Sequence, residues 1–167
     1  MPRPPAEGSR NVKIERHTLG AQSYLYVDRS AELTGAAIAA AMESGFGEVI
    51  GFLGEKKITP TSMPVAVYAE MPGPGRKMAF RAGFFVDAAH AALASGAIIA
   101  GTIAAGEAMK TVHTGTYASL NQTHSALWAA IRDAGATPAM PIWEVYVDDP
   151  TTRLEGQVRT EVWRALR

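Results

Sequence analysis

The sequence repeats itself, and the repeat limits the folds open to it. "VAVYAEMP", Val65 to Pro72, lines up with "WEVYVDDP", Trp143 to Pro150, so that Tyr68 falls on Tyr146 and Pro72 on Pro150 at an offset of 78. Carried on without a gap, the same offset sets Arg81 on Arg159, Phe84 on Val162, Phe85 on Trp163 and Gly83 on Glu161. Upstream an offset of 86 sets Val12 on Ile98, Gly20 on Gly106 and Val27 on His113. Such copies are supersecondary units that bury their apolar faces together. The expectation is one domain over residues 11–167, built of two pseudo-symmetric halves at about 11–87 and 97–165, after an arm at residues 1–10 that is read as disordered.

Each half reads strand, strand, helix, strand, strand. In the first, "NVKIERHT" and "AQSYLYVD" alternate as strands and turn at Leu19-Gly20. A helix is expected from about Ser30 to Ser44, with Ser30 as N-cap and Gly45 as its glycine stop. "PVAVYAEM" and "MAFRAGFFV" follow, joined by the turn-rich "PGPGRK". The second half gives "AIIAGTIA", "EAMKTVHT", a helix from about Thr116 to Ala134, "PIWEVYVD" and "QVRTEVWR". In that helix Tyr117, Leu120, His124, Leu127, Trp128 and Ile131 mark one amphipathic face. The implied class is α+β: two antiparallel sheets joined edge to edge, one main helix per half, and a cleft where the halves meet.

Composition excludes several functions. The 16 basic residues balance the 16 acidic ones, against the basic excess expected of a nucleic-acid binder. There is no cysteine, hence no disulfide and no thiolate metal site. The N-terminal "MPRPPAEGSR" has no apolar core of a signal peptide, and the glycine-interrupted "ASGAIIAGTIAAGEAM" is short for a membrane helix. A cytoplasmic protein with no membrane role is expected. The four histidines have no metal-ligand spacing, so no metal and no cofactor are expected. "GPGR" and "GFLGEKK" lack the Walker pattern, and no serine stands in a nucleophile elbow.

The candidate chemistry lies in the last two strands. Strand alternation puts Glu144 and Tyr146 on one face and Trp143, Val145 and Val147 on the other. Glu161 and Trp163 share a face, with Thr160 and Val162 opposite. Which of these faces coincide depends on a hairpin register that the sequence leaves open. An acid in an aromatic, β-branched strand is there to be solvated, paired or used. Facing a cleft among aromatic rings, it would suit a planar, cationic or amphipathic ligand. His124 reads as a core-edge histidine with one nitrogen satisfied.

The run "HTGTYASLNQTHSALWAAIRDAG", followed by "PIWEVYVDDP" and "VRTEVW", resembles the GyrI-like small-molecule-binding family, which also forms the effector domains of AraC- and MerR-type bacterial regulators. The resemblance rests on Gly115, Tyr117, Leu120, Leu127, Tyr146, Pro150 and the Thr160-Glu161 pair, and is strongest over residues 97–165. It implies a duplicated strand–helix–strand–strand (SHS2-like) module with about eight strands, two main helices and a central cleft. It implies a bacterial protein that binds hydrophobic or cationic small molecules, as monomer or homodimer; with the 167 residues taken up by the duplicated domain and its short arm, a stand-alone member is expected. The family's pocket glutamate falls on Glu161 and its pocket tyrosine on Tyr146, with Glu144, Trp143 and Trp163 as neighbours. By symmetry, Tyr68, Phe80 and Phe84 would wall the other side, and Gly83 would leave room where Glu161 brings charge. Some members resemble hydrolases of strained, cyclopropane-type compounds, which would make Glu161 and Tyr146 catalytic. Inhibition of a topoisomerase is a third, weaker implication.

Overall fold

The computed structural model describes residues 13–70, 77–148 and 154–167. The proposed arm and the "PGPGRK" turn fall largely outside them. The chain runs β1 (Glu15–Leu19), β2 (Gln22–Ala31), α1 (Gly35–Lys56), β3 (Val65–Tyr68), β4 (Met78–Phe85), a one-turn α2 (Ala88–Ala91), β5 (Ile99–Ile103), β6 (Gly106–Thr114), α3 (Leu120–Asp133), β7 (Pro138–Tyr146) and β8 (Arg159–Leu166). All eight strands form one antiparallel sheet in the order β1-β6-β8-β7-β3-β4-β2-β5. The α+β duplication is as the sequence implies. The halves join through the β3·β7 ladder.

The first strands of the two halves are exchanged. β1 does not turn back on β2 but pairs with β6, while β5 pairs with β2. Only two residues separate β1 from β2, and two separate β5 from β6. Such links span about 10 Å at most, yet they connect strands at opposite ends of the sheet. The sheet must therefore be rolled until its edges meet. Leu19 of one edge and Ile103 of the other pack into the same apolar cluster, with Tyr24, Tyr26, Val65, Val67, Phe85, Trp143 and Val145. These side chains fill the concave face without a helix over them.

The convex face carries the helices. α1 packs on β2 and β4, and α3 on β6, β7 and β8. α1 is longer than the sequence suggests. Thr34, not Ser30, caps it by accepting from the Ala37 N–H at 3.2 Å, and it runs through Gly45 to Lys56. Gly45 is a packing residue rather than a stop: a Cβ there would lie 2.6 Å from the Ala82 Cβ on β4. The apolar 22 residues of α1 have the length and composition of a membrane-crossing helix. Here Gly45, Val49 and Leu53 bury one face of it against the sheet. α3 buries Leu127 and Ile131 as expected, with Gly135 at φ +75° just past its end, but it begins at Leu120 rather than Thr116 and leaves Trp128 exposed, as is Tyr117 in the turn before it.

The register of the exchanged strands revises the repeat. Leu19 pairs with Gly106 and Gln22 with Ile103; likewise Glu15 pairs with Lys110 and Tyr26 with Ile99. The two-fold thus sets β2 on β6 at an offset of 84, not 86, so Tyr26 corresponds to Lys110 and Asp28 to Val112. In β4, Arg81 lies between Asp28 and Val67; in β8, Glu161 lies between Val112 and Val145. The counterpart of Glu161 is therefore Arg81, and that of Gly83 is Trp163. The gapless alignment fails by two residues because the loops before β4 and β8 differ in length.

Candidate functional site

The β3·β7 ladder pairs Ala66 with Glu144, and the offset of 78 also sets Ala66 on Glu144. This pair consequently lies on the approximate two-fold, between the strands that α1 covers and those that α3 covers. One copy brings a methyl group there and the other a carboxylate. Glu144 is 4% exposed. Its Oε1 accepts from the Tyr146 hydroxyl at 2.5 Å and from the Tyr68 hydroxyl at 3.1 Å. Tyr68 and Tyr146 are symmetry mates, so the repeat supplies two phenols that converge on one acid. The carboxylate's other oxygen, Oε2, lies 2.6 Å from Nε2 of His124. Buried polar groups are costly unless bonded, and here both oxygens are bonded. Burial first, and then the Glu144 charge, push the Tyr68 and Tyr146 phenols well above their usual range. They remain protonated donors.

The walls are aromatic. Phe46 of α1 lies 5.7 Å from the Tyr146 ring and Tyr117 lies 5.6 Å from it on the other side. Phe80 stands 6.1 Å from Tyr68 and Phe84 6.3 Å from Phe46. The Met42 sulfur lies 3.4 Å from the Tyr146 oxygen. His124 is anchored from the residue before it. The Thr123 hydroxyl lies 2.7 Å from Nδ1 of His113, whose Nε2 donates to the Thr116 carbonyl at 2.8 Å. That fixes the start of α3 against β6 and sets His124, its side chain 28% exposed, at the rim above the 5%-exposed Glu144 side chain.

The register brings some expected residues together and separates others. Glu144, Tyr146, Tyr68, Phe80 and Phe84 share the helix-covered face. Glu161 does not. It pairs with Val145, so it points to the concave side, as do Trp143 and Trp163. The expected couple of Glu161 and Tyr146 is corrected on this ground: the two side chains leave opposite faces of the sheet. On the concave side Glu161 has its own partners. Lys110 lies 3.3 Å away, and the Trp163 indole N–H donates to it at 3.1 Å. Trp163 stacks on Trp143 at 5.5 Å and 6°.

Gly83 does not leave room for a ligand either. A Cβ there would meet the Leu25 carbonyl oxygen at 1.9 Å, so the glycine serves the close approach of β4 to β2. His124, Met42 and Phe46 were not among the expected site residues. For His124 the signal was present, a polar residue on the apolar face of α3. Phe46 was hidden by placing the helix end at Gly45. Among the described residues no group of three histidines or acids is placed to hold a metal.

A search of curated proteins finds no match. Among solved structures, the EcmrR C-terminal domain is 15% identical, with a TM-score of 0.72 over 94% of this chain and 98% of that one. Against the EcmrR chain of an EcmrR–DNA complex, by contrast, this chain spans only 57% of the matched chain's length. A hydrolase from Listeria innocua is 12% identical, with a TM-score of 0.62 over 93% and 92%. SAV2435, solved bound to tetraphenylphosphonium, is 14% identical, with a TM-score of 0.60 over 93% and 94%. At such identities these likenesses establish the fold. Residues 23–167 match the family of GyrI-like small molecule binding domains, and the chain belongs to that family.

Proposed function

We propose that the protein binds hydrophobic organic cations on its helix-covered face, with Glu144 as counter-charge. The observation that carries this reading is the buried Glu144 carboxylate, placed on the two-fold and held by Tyr68, Tyr146 and His124. A fixed negative charge among aromatic rings attracts a delocalised cation through both charge and ring quadrupoles. Because the donors already orient the carboxylate, little reorganisation accompanies binding. The tetraphenylphosphonium seen on SAV2435 is a compound of this chemistry. Sequestration or sensing of a drug or toxin would follow from such binding. The test is a titration with tetraphenylphosphonium beside a neutral triphenyl compound of similar size. A preference of about tenfold or more for the cation is expected. Equal affinity would remove the role of the charge.

A second reading is favoured by one contact. Nε2 of His124, 2.6 Å from Glu144, makes a pair able to pass a proton to or from a bound electrophile. A hydrolase of strained compounds would then use Glu144 and His124 in place of Glu161 and Tyr146. Product formed in excess over protein, and lost in His124→Phe, would support it; stoichiometric binding without product would not.

A further inference from the structure

We propose that the mouth of the roll, on the face opposite Glu144, is a second binding site, for a small organic carboxylate held by Arg81 and Tyr24. An open cavity of about 190 Å³ lies there, with Arg81 and Tyr24 at its polar side and Val67, Ile103, Met140 and Pro141 among its apolar walls. It is smaller than the roughly 300–1,000 Å³ of a drug-sized site, which suits a short ligand.

Arg81 brings donors and no acceptor to this cavity. One Arg81 N–H donates to the Tyr24 oxygen at 2.8 Å, and the guanidinium carbon sits 4.8 Å over the Tyr26 ring. The tyrosine oxygen accepts there, so its own proton is left to give. Asp28, across the ladder, bears on Arg81 through its charge. Among the described residues, however, no carboxylate stands within salt-bridge distance of Arg81. A guanidinium fork with an adjacent hydroxyl donor is matched to a planar carboxylate.

The other half shows the alternative. At the counterparts of Arg81 and Tyr26 stand Glu161 and Lys110, 3.3 Å apart, which neutralise each other. The counterpart of Tyr24 is Ala108, which brings no donor. The repeat thus carries a closed ion pair in one copy and, in the other, a cation beside a cavity that only the more distant Asp28 charge offsets among the described residues. The apolar walls favour an anion with a short apolar body over bare phosphate.

The experiment titrates the full chain with benzoate and, separately, with inorganic phosphate, followed by calorimetry. Saturable benzoate binding is expected, weaker by about tenfold or more in Arg81→Gln and by a few-fold in Tyr24→Phe, which keeps the ring. Tetraphenylphosphonium affinity should be unchanged in Arg81→Gln, which separates this site from the one at Glu144. No saturable binding of benzoate, or phosphate bound as tightly as benzoate, would overturn the proposal. If Arg81→Gln fails to fold, Tyr24→Phe decides: unchanged benzoate affinity there would also overturn it.

Discussion

Ala66 and Glu144 occupy the same place in the two copies and face each other across the β3·β7 ladder. Arg81 and Glu161 likewise occupy one place, on the opposite face of the sheet. At the first pair, two equivalent tyrosines, both kept, address the one acid, while the helices above bring different residues, Met42 and Phe46 from α1 and His124 from α3. At the second, each copy has its own partners, Tyr24 and Tyr26 for Arg81, and Lys110 and Trp163 for Glu161. The contrast distinguishes two uses of an acid. Glu161 is part-exposed and locally neutralised, whereas the partners of the buried Glu144 among the described residues are neutral hydroxyls and a histidine. A duplicated fold offers one position where both copies can serve a single group, and that position is the axis.

Restoring symmetry at the axis should have the largest effect. Ala66 is fully buried, so Ala66→Glu would set a second carboxylate beside Glu144 with no donor of its own. Urea unfolding should show a loss of about 3 kcal/mol or more. A stable Ala66→Glu protein would mean that the seam is wetter than the geometry implies. Next is Gly83→Ala, whose Cβ must displace the Leu25 carbonyl. A loss of about 2–3 kcal/mol is expected in the same assay. A neutral result would restore the idea that Gly83 lines free space.

Removing the symmetric phenols gives smaller effects. Tyr146→Phe and Tyr68→Phe each keep a ring and delete a hydrogen bond to a charged group, a difference of about 1.5–3 kcal/mol. Tyr146 should matter more, since its contact is the shorter at 2.5 Å against 3.1 Å. These phenols also set an alkaline limit. Their folded values lie above the unfolded value of about 10, so the folded state favours the protonated form. Their contribution is present below pH ~10 and is lost as pH rises beyond it. Thermal melts from pH 9 to 11 should fall with pH, and the fall should be shallower in the double Phe variant. The smallest effect is expected at the other acid. Glu161→Gln removes a part-exposed ion pair worth about 1 kcal/mol or less.

Much of this was legible before any coordinates. The repeat, the α+β class, the one-face placement of Glu144 with Tyr146, and the Tyr68–Tyr146 equivalence follow from residue order and strand alternation. The rest depended on register. A two-residue slip between β4 and β8 leaves Phe, Val and Trp aligned with one another, because apolar residues recur at period two on both faces. Only the ladder could show that Glu161 answers to Arg81. The exchange of β1 and β5 was hidden for a related reason: a two-residue link reads as a hairpin until the rolled sheet supplies another partner. Gly45 misled because a glycine that ends a helix and one that lets it lie close on a strand look alike in sequence.

The most direct measurement is a parallel titration with tetraphenylphosphonium of the wild-type chain, Glu144→Gln and Glu161→Gln, each checked for folding. If the acid on the two-fold holds the ligand, Glu144→Gln loses about tenfold or more in affinity, and Glu161→Gln binds as the wild type does. The reverse order, or equal affinity in all three, would contradict it.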